Sequence, residues 1–333
     1  MKIGSEDAKA GASHILTQAG SANGGDRILL VVDANTEDLA EYFEAAASDL
    51  GLNMVTAHNP VGRNHGEEPA PEIALMMKAA SLVLALTTFS FAHSKARKLA
   101  SSFGARFLSL PQYSLSLLGH RMIQVDYRAL SPIVKTVSDL FTKGSFVRIT
   151  SSAGTDLTVD ISGRLGNYCP AFVFSAGELG SPPDIEANVS PIENSGSGVA
   201  VVDGSITHPS IGLLESKGTI QFRDGVAERF STKDRSLDSR IKALFHDQSW
   251  RRRVLAEVGV GLNPIAELTG AMLSDEGTLG TVHLGLGSNF YVGGRNLVDF
   301  HLDFVMREVS LAVDQVQVLE SGELVLDVEN GVG

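Results

Sequence analysis

The chain has 333 residues, 43% of them hydrophobic, enough to bury a large core and to divide into two domains. Its 27 basic and 39 acidic residues leave a net charge of −12, which argues against nucleic acid or an anionic membrane as the main partner. The single cysteine, Cys169, excludes an intrachain disulfide framework and fits a reducing cytoplasm. No apolar run approaches the ~20 residues of a membrane span, and the acidic start MKIGSEDAKAGASHIL lacks the apolar stretch of a signal peptide, so a cytoplasmic protein is expected.

In chain order, residues 1–22 read as a helix with Ala8, Ala12, Ile15 and Leu16 on one face. The run from Arg27 to Asp33 suits a buried parallel strand, and Thr36 to Leu50 carries Leu39, Tyr42, Phe43 and Ala46 at helical spacing. Strands at 53–58, 82–86 and 106–110 alternate with helices at 71–80 and 94–103. That spacing predicts βαβ units and a parallel sheet flanked by helices. The first strand ends in Val32-Asp33-Ala34-Asn35-Thr36 without a glycine-rich phosphate loop, so no dinucleotide site is expected. Helices within 113–143 close this α/β domain, placed at residues 1–142. From Lys143 and Gly144 onward the pattern changes to short alternating runs at 146–149, 156–161, 198–202 and 219–222, broken by Gly/Ser/Pro/Asn turns. Residues 143–333 therefore read as a β-rich α+β domain, with one helix at 237–245 and a basic run, Arg251-Arg252-Arg253, read as solvated.

The stretch from Leu255 to Val305 carries the chemistry. Glu257, Asp275, Glu276, His283, His301 and Asp303 recur inside apolar, strand-like runs, where a charge or imidazole is costly unless paired or bound to a metal. His301 and Asp303 are two apart, so on a strand they share a face, about 7 Å apart along it. Two histidines, several carboxylates and glycines that let backbones come close are the ingredients of a divalent-metal site.

These motifs also carry a resemblance. Glu257-Val-Gly-Val-Gly-Leu-Asn-Pro264, then Asp275-Glu276, His283-Leu-Gly-Leu-Gly287, Gly293-Gly294 and His301-Leu-Asp303 resemble the aminopeptidase T/aminopeptidase S family of dinuclear metallo-aminopeptidases. Upstream, Pro183-Asp-Ile-Glu186 with Pro191 looks like that family's P-x-G-E-x₄-P segment, with Ile185 where the family has glycine. The resemblance covers most of residues 143–333. It implies metal-ligand roles for Glu186, Glu257, His283, His301 and Asp303, and a general-base role for Glu276. The family's metal-binding tyrosine aligns with Phe290, which leaves neighbouring Tyr291 as an additional ligand. Two divalent ions (Zn, Co or Mn), a small-molecule or short-peptide substrate with a cleavable amide bond, and a homodimer are implied with it.

A second resemblance is to the 2,5-dihydroxypyridine ring-cleaving dioxygenases, relatives of the same architecture that hold one Fe(II). It rests on His301-Leu-Asp303 and the segment Gly259-Val-Gly-Leu-Asn-Pro264; those enzymes carry a histidine where this chain has Glu257, and lack counterparts of Glu186 and His283. On that reading His283, His301 and Asp303 form a two-histidine, one-carboxylate iron triad acting on a hydroxylated heterocycle. The extra carboxylates favour a second cation, so the metallohydrolase is the first expectation and the dioxygenase the alternative.

Overall fold

Five-residue apolar runs bounded by polar turns form the first unit, as their spacing predicts. In a computed structural model, which describes residues 4–63, 65–245 and 249–326, strands β1 (Ile28–Val32), β2 (Met54–His58), β3 (Leu82–Leu86) and β4 (Arg106–Ser109) pair in parallel in the order β2-β1-β3-β4. β1, β3 and β4 are buried throughout because helices cover their faces: α1 (Ser5–His14), α2 (Ala40–Asp49), α3 (Pro71–Ala79) and α4 (Lys95–Ser102). The expected helix over 1–22 is α1 continued by a π-turn at Ile15–Ala19, and Ala8, Ala12, Ile15 and Leu16 are fully buried. Residues 1–3 of that expectation lie outside the described residues. At the end of β1 the Asp33 carboxylate accepts from the Thr88 amide (2.6 Å), the Thr88 hydroxyl (2.9 Å) and the Asn35 amide (3.1 Å), a strap between loops.

The chain divides into compact units differently from a single cut after residue 142. One unit is Met1–Ala129 with Ala171–Pro183, the other Leu130–Pro170 with Asp184–Gly333. After α5 (Leu115–Leu118), most of helix α6 (Tyr127–Lys143) belongs to the second unit, where it is tied to the strand Gly166–Cys169: Ser138 Oγ donates to Gly166 O and Gly166 N to Thr142 Oγ1. Residues 171–183 return to the first unit, where a two-residue strand, Leu179–Gly180 (β8 in chain order), adds in parallel to β4.

The second unit is built on two antiparallel sheets. One has β5 (Phe146–Ser151), β6 (Asp156–Asp160), β10 (Ser197–Val202), β13 (Gly218–Arg223), β14 (Val226–Thr232), β18 (Val309–Val313), β19 (Val316–Glu320) and β20 (Glu323–Leu324), in the order β14-β13-β10-β6-β5-β18-β19-β20. The other has β7 (Gly166–Cys169), β9 (Glu186–Val189), β11 (Ser205–Ile206), β12 (Gly212–Leu213), β15 (Leu255–Gly261), β16 (Val282–Gly287) and β17 (His301–Met306), in the order β12-β11-β17-β16-β15-β9-β7. In the chain, helix α7 (Arg235–Leu244) runs between the two sheets, and α8 (Met272–Gly277) connects β15 to β16 within the second. The period-two alternation of β15, β16 and β17 puts Val258, Val260, Val282, Leu284, Leu302 and Phe304 on one buried face of this sheet. Glu257, Gly259, His283, Gly285, His301 and Asp303 take the other. The mixed fold, a parallel sheet followed by antiparallel sheets, matches the expected class. Among the described residues no helix is long and apolar enough to cross a membrane.

Candidate metal centre

Register brings the ionisable residues together. Glu257 on β15 faces Gly285 on β16, which faces Asp303 on β17, so two carboxylates flank a glycine across three strands. One step along, Asn188 on β9, Gly259 on β15 and His283 on β16 form the next row. The glycines are steric requirements. A Cβ on Gly259 would lie 2.0 Å from His283 Nε2, and one on Gly285 2.8 Å from His301 Nε2 and 2.9 Å from Asp303 Oδ1. Each imidazole therefore lies over the bare backbone of its neighbouring strand.

Glu186, Glu257, His283 and Asp303 are buried, and the His301 side chain is about a third exposed. His283 Nε2 is 3.1 Å from Glu186 Oε2 and 3.7 Å from Glu257 Oε1; His301 Nε2 is 3.2 Å from Asp303 Oδ1 and 3.5 Å from Glu257 Oε2. Glu257 thus turns one oxygen toward each imidazole. Among the described residues, Glu186, Glu257 and His283 are the group whose ligand atoms all lie within 4.8 Å of one another. The expected triad of His283, His301 and Asp303 is not gathered that way, since the imidazoles face opposite oxygens of Glu257. Tyr291 is 46% exposed on the 288–300 loop, whereas Glu186, Glu257, His283 and Asp303 are buried.

The donor set fits a cation. Adjacent ligands on a divalent metal with bonds of roughly 2.0–2.2 Å stand about 3.0–3.6 Å apart, close to the separations here. Glu186 Oε2 approaches His283 yet makes no aligned hydrogen bond, and Glu276 Oε1 and Asp184 Oδ1 are buried without partners. Orphaned carboxylate oxygens of this kind are costly unless something positive meets them. His301 Nδ1–H donates to Ser288 O at 2.9 Å, which fixes the tautomer and leaves Nε2 for a metal.

Charge regulation follows. Burial disfavours the charged form of both imidazoles, but Glu186 and Glu257 hold His283 well above its ordinary value, and Asp303 with Glu257 raises His301 to about 10. Burial pushes Glu257 up. It also pushes Glu276 and Asp184 well up, Asp303 adding to the effect on Glu276 and Glu186 to that on Asp184. Burial would raise Asp303 too, but the His301 imidazolium outweighs it and holds the carboxyl low. Protons on the two imidazoles stand where a divalent cation would supply positive charge.

Glu276 sits on α8 against Asp303, while its neighbour Asp275 is spent on structure, accepting from the Thr269 amide (2.7 Å), the Gly270 amide (3.0 Å) and the Ser274 hydroxyl (3.0 Å). Sequence reasoning missed Asp184 and Asn188. Asp184 is buried beside α8, and Asn188 Nδ2 donates to Glu186 Oε1 at 2.7 Å. Asp184 precedes its strand in a turn, where a carboxylate gives no signal; Asn188 carried one, sharing the period-two face of Glu186. Cys169 pairs with Glu186 in register, and burial holds its thiol well above the ordinary range.

Comparison with known proteins gives these arrangements a lineage. No curated protein matches the chain by sequence. Among solved structures, 2,5-dihydroxypyridine dioxygenase from Pseudomonas putida KT2440 superposes with a TM-score of 0.83 at 18% identity, covering 98% of this chain and 99% of that one. Wild-type AmpT from Thermus thermophilus superposes with a TM-score of 0.67 at 13% identity, covering 96% and 99%. At these identities both show the fold alone. The family model described as NicX, 2,5-dihydroxypyridine 5,6-dioxygenase, matches residues 13–326, so of the two families resembled in sequence the ring-cleaving one, placed second there, is the one shown: the chain belongs to the 2,5-dihydroxypyridine 5,6-dioxygenase family.

Proposed function

We propose that the protein is a metal-dependent dioxygenase that opens the ring of a hydroxylated nitrogen heterocycle. The observation that carries this reading is the family match over residues 13–326. Glu257, His301 and Asp303 would hold one Fe(II), Glu257 taking the position where the dioxygenases carry a histidine, with the partly exposed His301 on the side open to substrate. Bound Fe(II) would supply the one-electron and oxygen chemistry that side chains cannot. His283 would stay an imidazolium paired with Glu186 and Glu257, and buried Glu276 would carry a proton to or from a substrate hydroxyl.

A second reading, a dinuclear metallohydrolase, is favoured by one observation: the two oxygens of Glu257 face different imidazoles, as a carboxylate shared by two cations would. Stoichiometry and oxygen separate the two. One iron per chain with turnover that stops without oxygen supports the dioxygenase. Two Zn, Co or Mn ions and oxygen-independent amide cleavage would establish the hydrolase instead. We further propose a cytoplasmic homodimer, which sedimentation at micromolar concentration tests; a monomer there refutes it.

A further inference from the structure

The loop from Ser288 to Asn296 joins β16 to the segment before β17 and carries two aromatic side chains at its tip. Phe290 and Tyr291 are 51% and 46% exposed and meet edge to face, ring centroids 5.4 Å apart at 90°. Adjoining exposed apolar side chains can mark a surface that meets a ligand or another molecule. This loop is braced. Within it, Asn289 accepts from the Asn296 amide at 2.7 Å, and Asn296 Nδ2 donates to Gly287 O at 2.6 Å. From outside, Glu193 Oε1 accepts from Asn289 Nδ2 (3.2 Å), and Arg164, paired with Glu193 at 2.6 Å, donates to Gly293 O.

Both shoulders of the tip are tied to the metal cluster. On one side Ser288 O accepts from His301 Nδ1 at 2.9 Å. On the other, Asn167 Nδ2 donates to Val292 O at 3.1 Å and to Asn188 Oδ1 at 2.7 Å, and Asn188 in turn donates to Glu186 Oε1 at 2.7 Å. The amide orientations are fixed, since Asn167 Nδ2 lies between two acceptors and Asn188 must then turn its own NH₂ to Glu186. Phe290 and Tyr291 stand between these anchors, Ser288 and Val292, four residues apart in chain, so the tip is held at the rim of the cluster.

We infer that the braced Phe290–Tyr291 pair is a specificity-determining face, against which a planar, hydroxylated heteroaromatic ring stacks as it enters toward the metal centre. The inference rests on the proposed function for the class of substrate, though not for the chemistry done on it. Flat rings gain from an aromatic wall that a puckered ring of equal size does not. A wall that is already rigid loses little freedom when the ring arrives.

The test is binding, measured without oxygen on metal-loaded protein, with 3-hydroxypyridine as planar probe and the uncharged 3-hydroxytetrahydropyran as its saturated counterpart. Phe290→Ala/Tyr291→Ala should weaken the planar probe by about two- to twelvefold, the range of an aromatic pair, and leave the saturated one unchanged. Metal content should not change. Asn167→Ala, which keeps both rings, should speed chymotrypsin cleavage after Phe290 or Tyr291 and lose the planar preference with it. An unchanged planar affinity in the double variant overturns the inference, and an altered sedimentation coefficient beside it would assign the pair to a contact between copies of the chain. Oxygen-independent turnover would overturn the dioxygenase while leaving this binding result to stand or fall alone.

Discussion

Replacing Gly259 by alanine tests the site with a single methyl group and no change of charge. The new Cβ would lie 2.0 Å from His283 Nε2 and 2.1 Å from its Cε1, against 3.4 Å or more in ordinary contact, so the ring must retreat by about 1.4 Å. A shift of that size would break the pairs of His283 with Glu186 and Glu257 and leave Glu257 unsupported. Strain in so buried a row should cost about 1–3 kcal/mol in stability, and metal affinity should fall by about 10- to 100-fold, as for a residue that holds a ligand from behind. Gly285→Ala should strain the fold less, since its Cβ meets the part-exposed His301 at 2.8 Å, but with Asp303 Oδ1 at 2.9 Å it presses on two proposed ligands and should also lower metal content. Gly24→Ala, with nothing within 4 Å, is the neutral control. The assays are elemental analysis after dialysis against limiting metal, and thermal denaturation. A Gly259→Ala protein with wild-type metal content and midpoint would refute the placement of His283 over β15.

Other outcomes follow from the same geometry. Glu276→Gln should keep its metal and lose about 10²–10⁴ in turnover, read as kcat at unchanged metal content. In metal-free protein His301, raised to about 10 from an ordinary 6.5, contributes stability that is fully present below pH 6.5 and lost as pH rises through 10. The denaturation midpoint should therefore fall over that window, and His301→Ala should remove this part of the dependence. A metal displaces the same proton, so metal affinity should rise with pH across it. Arg106→Met breaks a buried pair with Asp26 (2.5 Å) and removes donors from Gly20 O and Ser21 O, which should cost about 3–5 kcal/mol by urea denaturation.

Much of this was legible because strands write their faces with period two. In β15, β16 and β17 every second residue is apolar, so the glutamate, histidines, aspartate and glycines between them had to share a surface. The parallel sheet was equally plain from apolar runs at βαβ spacing. What the pattern could not carry was distance. Nothing in the spacing says that His283 and His301 face opposite oxygens of Glu257. Nor does a two-residue strand such as β8 have a period to read, so the return of residues 171–183 to the first unit was invisible. Asp275 misled for another reason: its neighbour Glu276 enters the site, whereas Asp275 turns back to cap a loop.

The return of that short segment bears on how the protein comes off the ribosome. Phe107 N donates to Glu178 O and Leu108 pairs with Gly180, so β4 remains a bare edge until some 70 further residues have been synthesised. A nascent chain or fragment ending near residue 142 would present the unpaired amides and carbonyls of that edge to any other chain. The first half of the sequence is thus expected to need a chaperone, or the second half, before it is safe from aggregation.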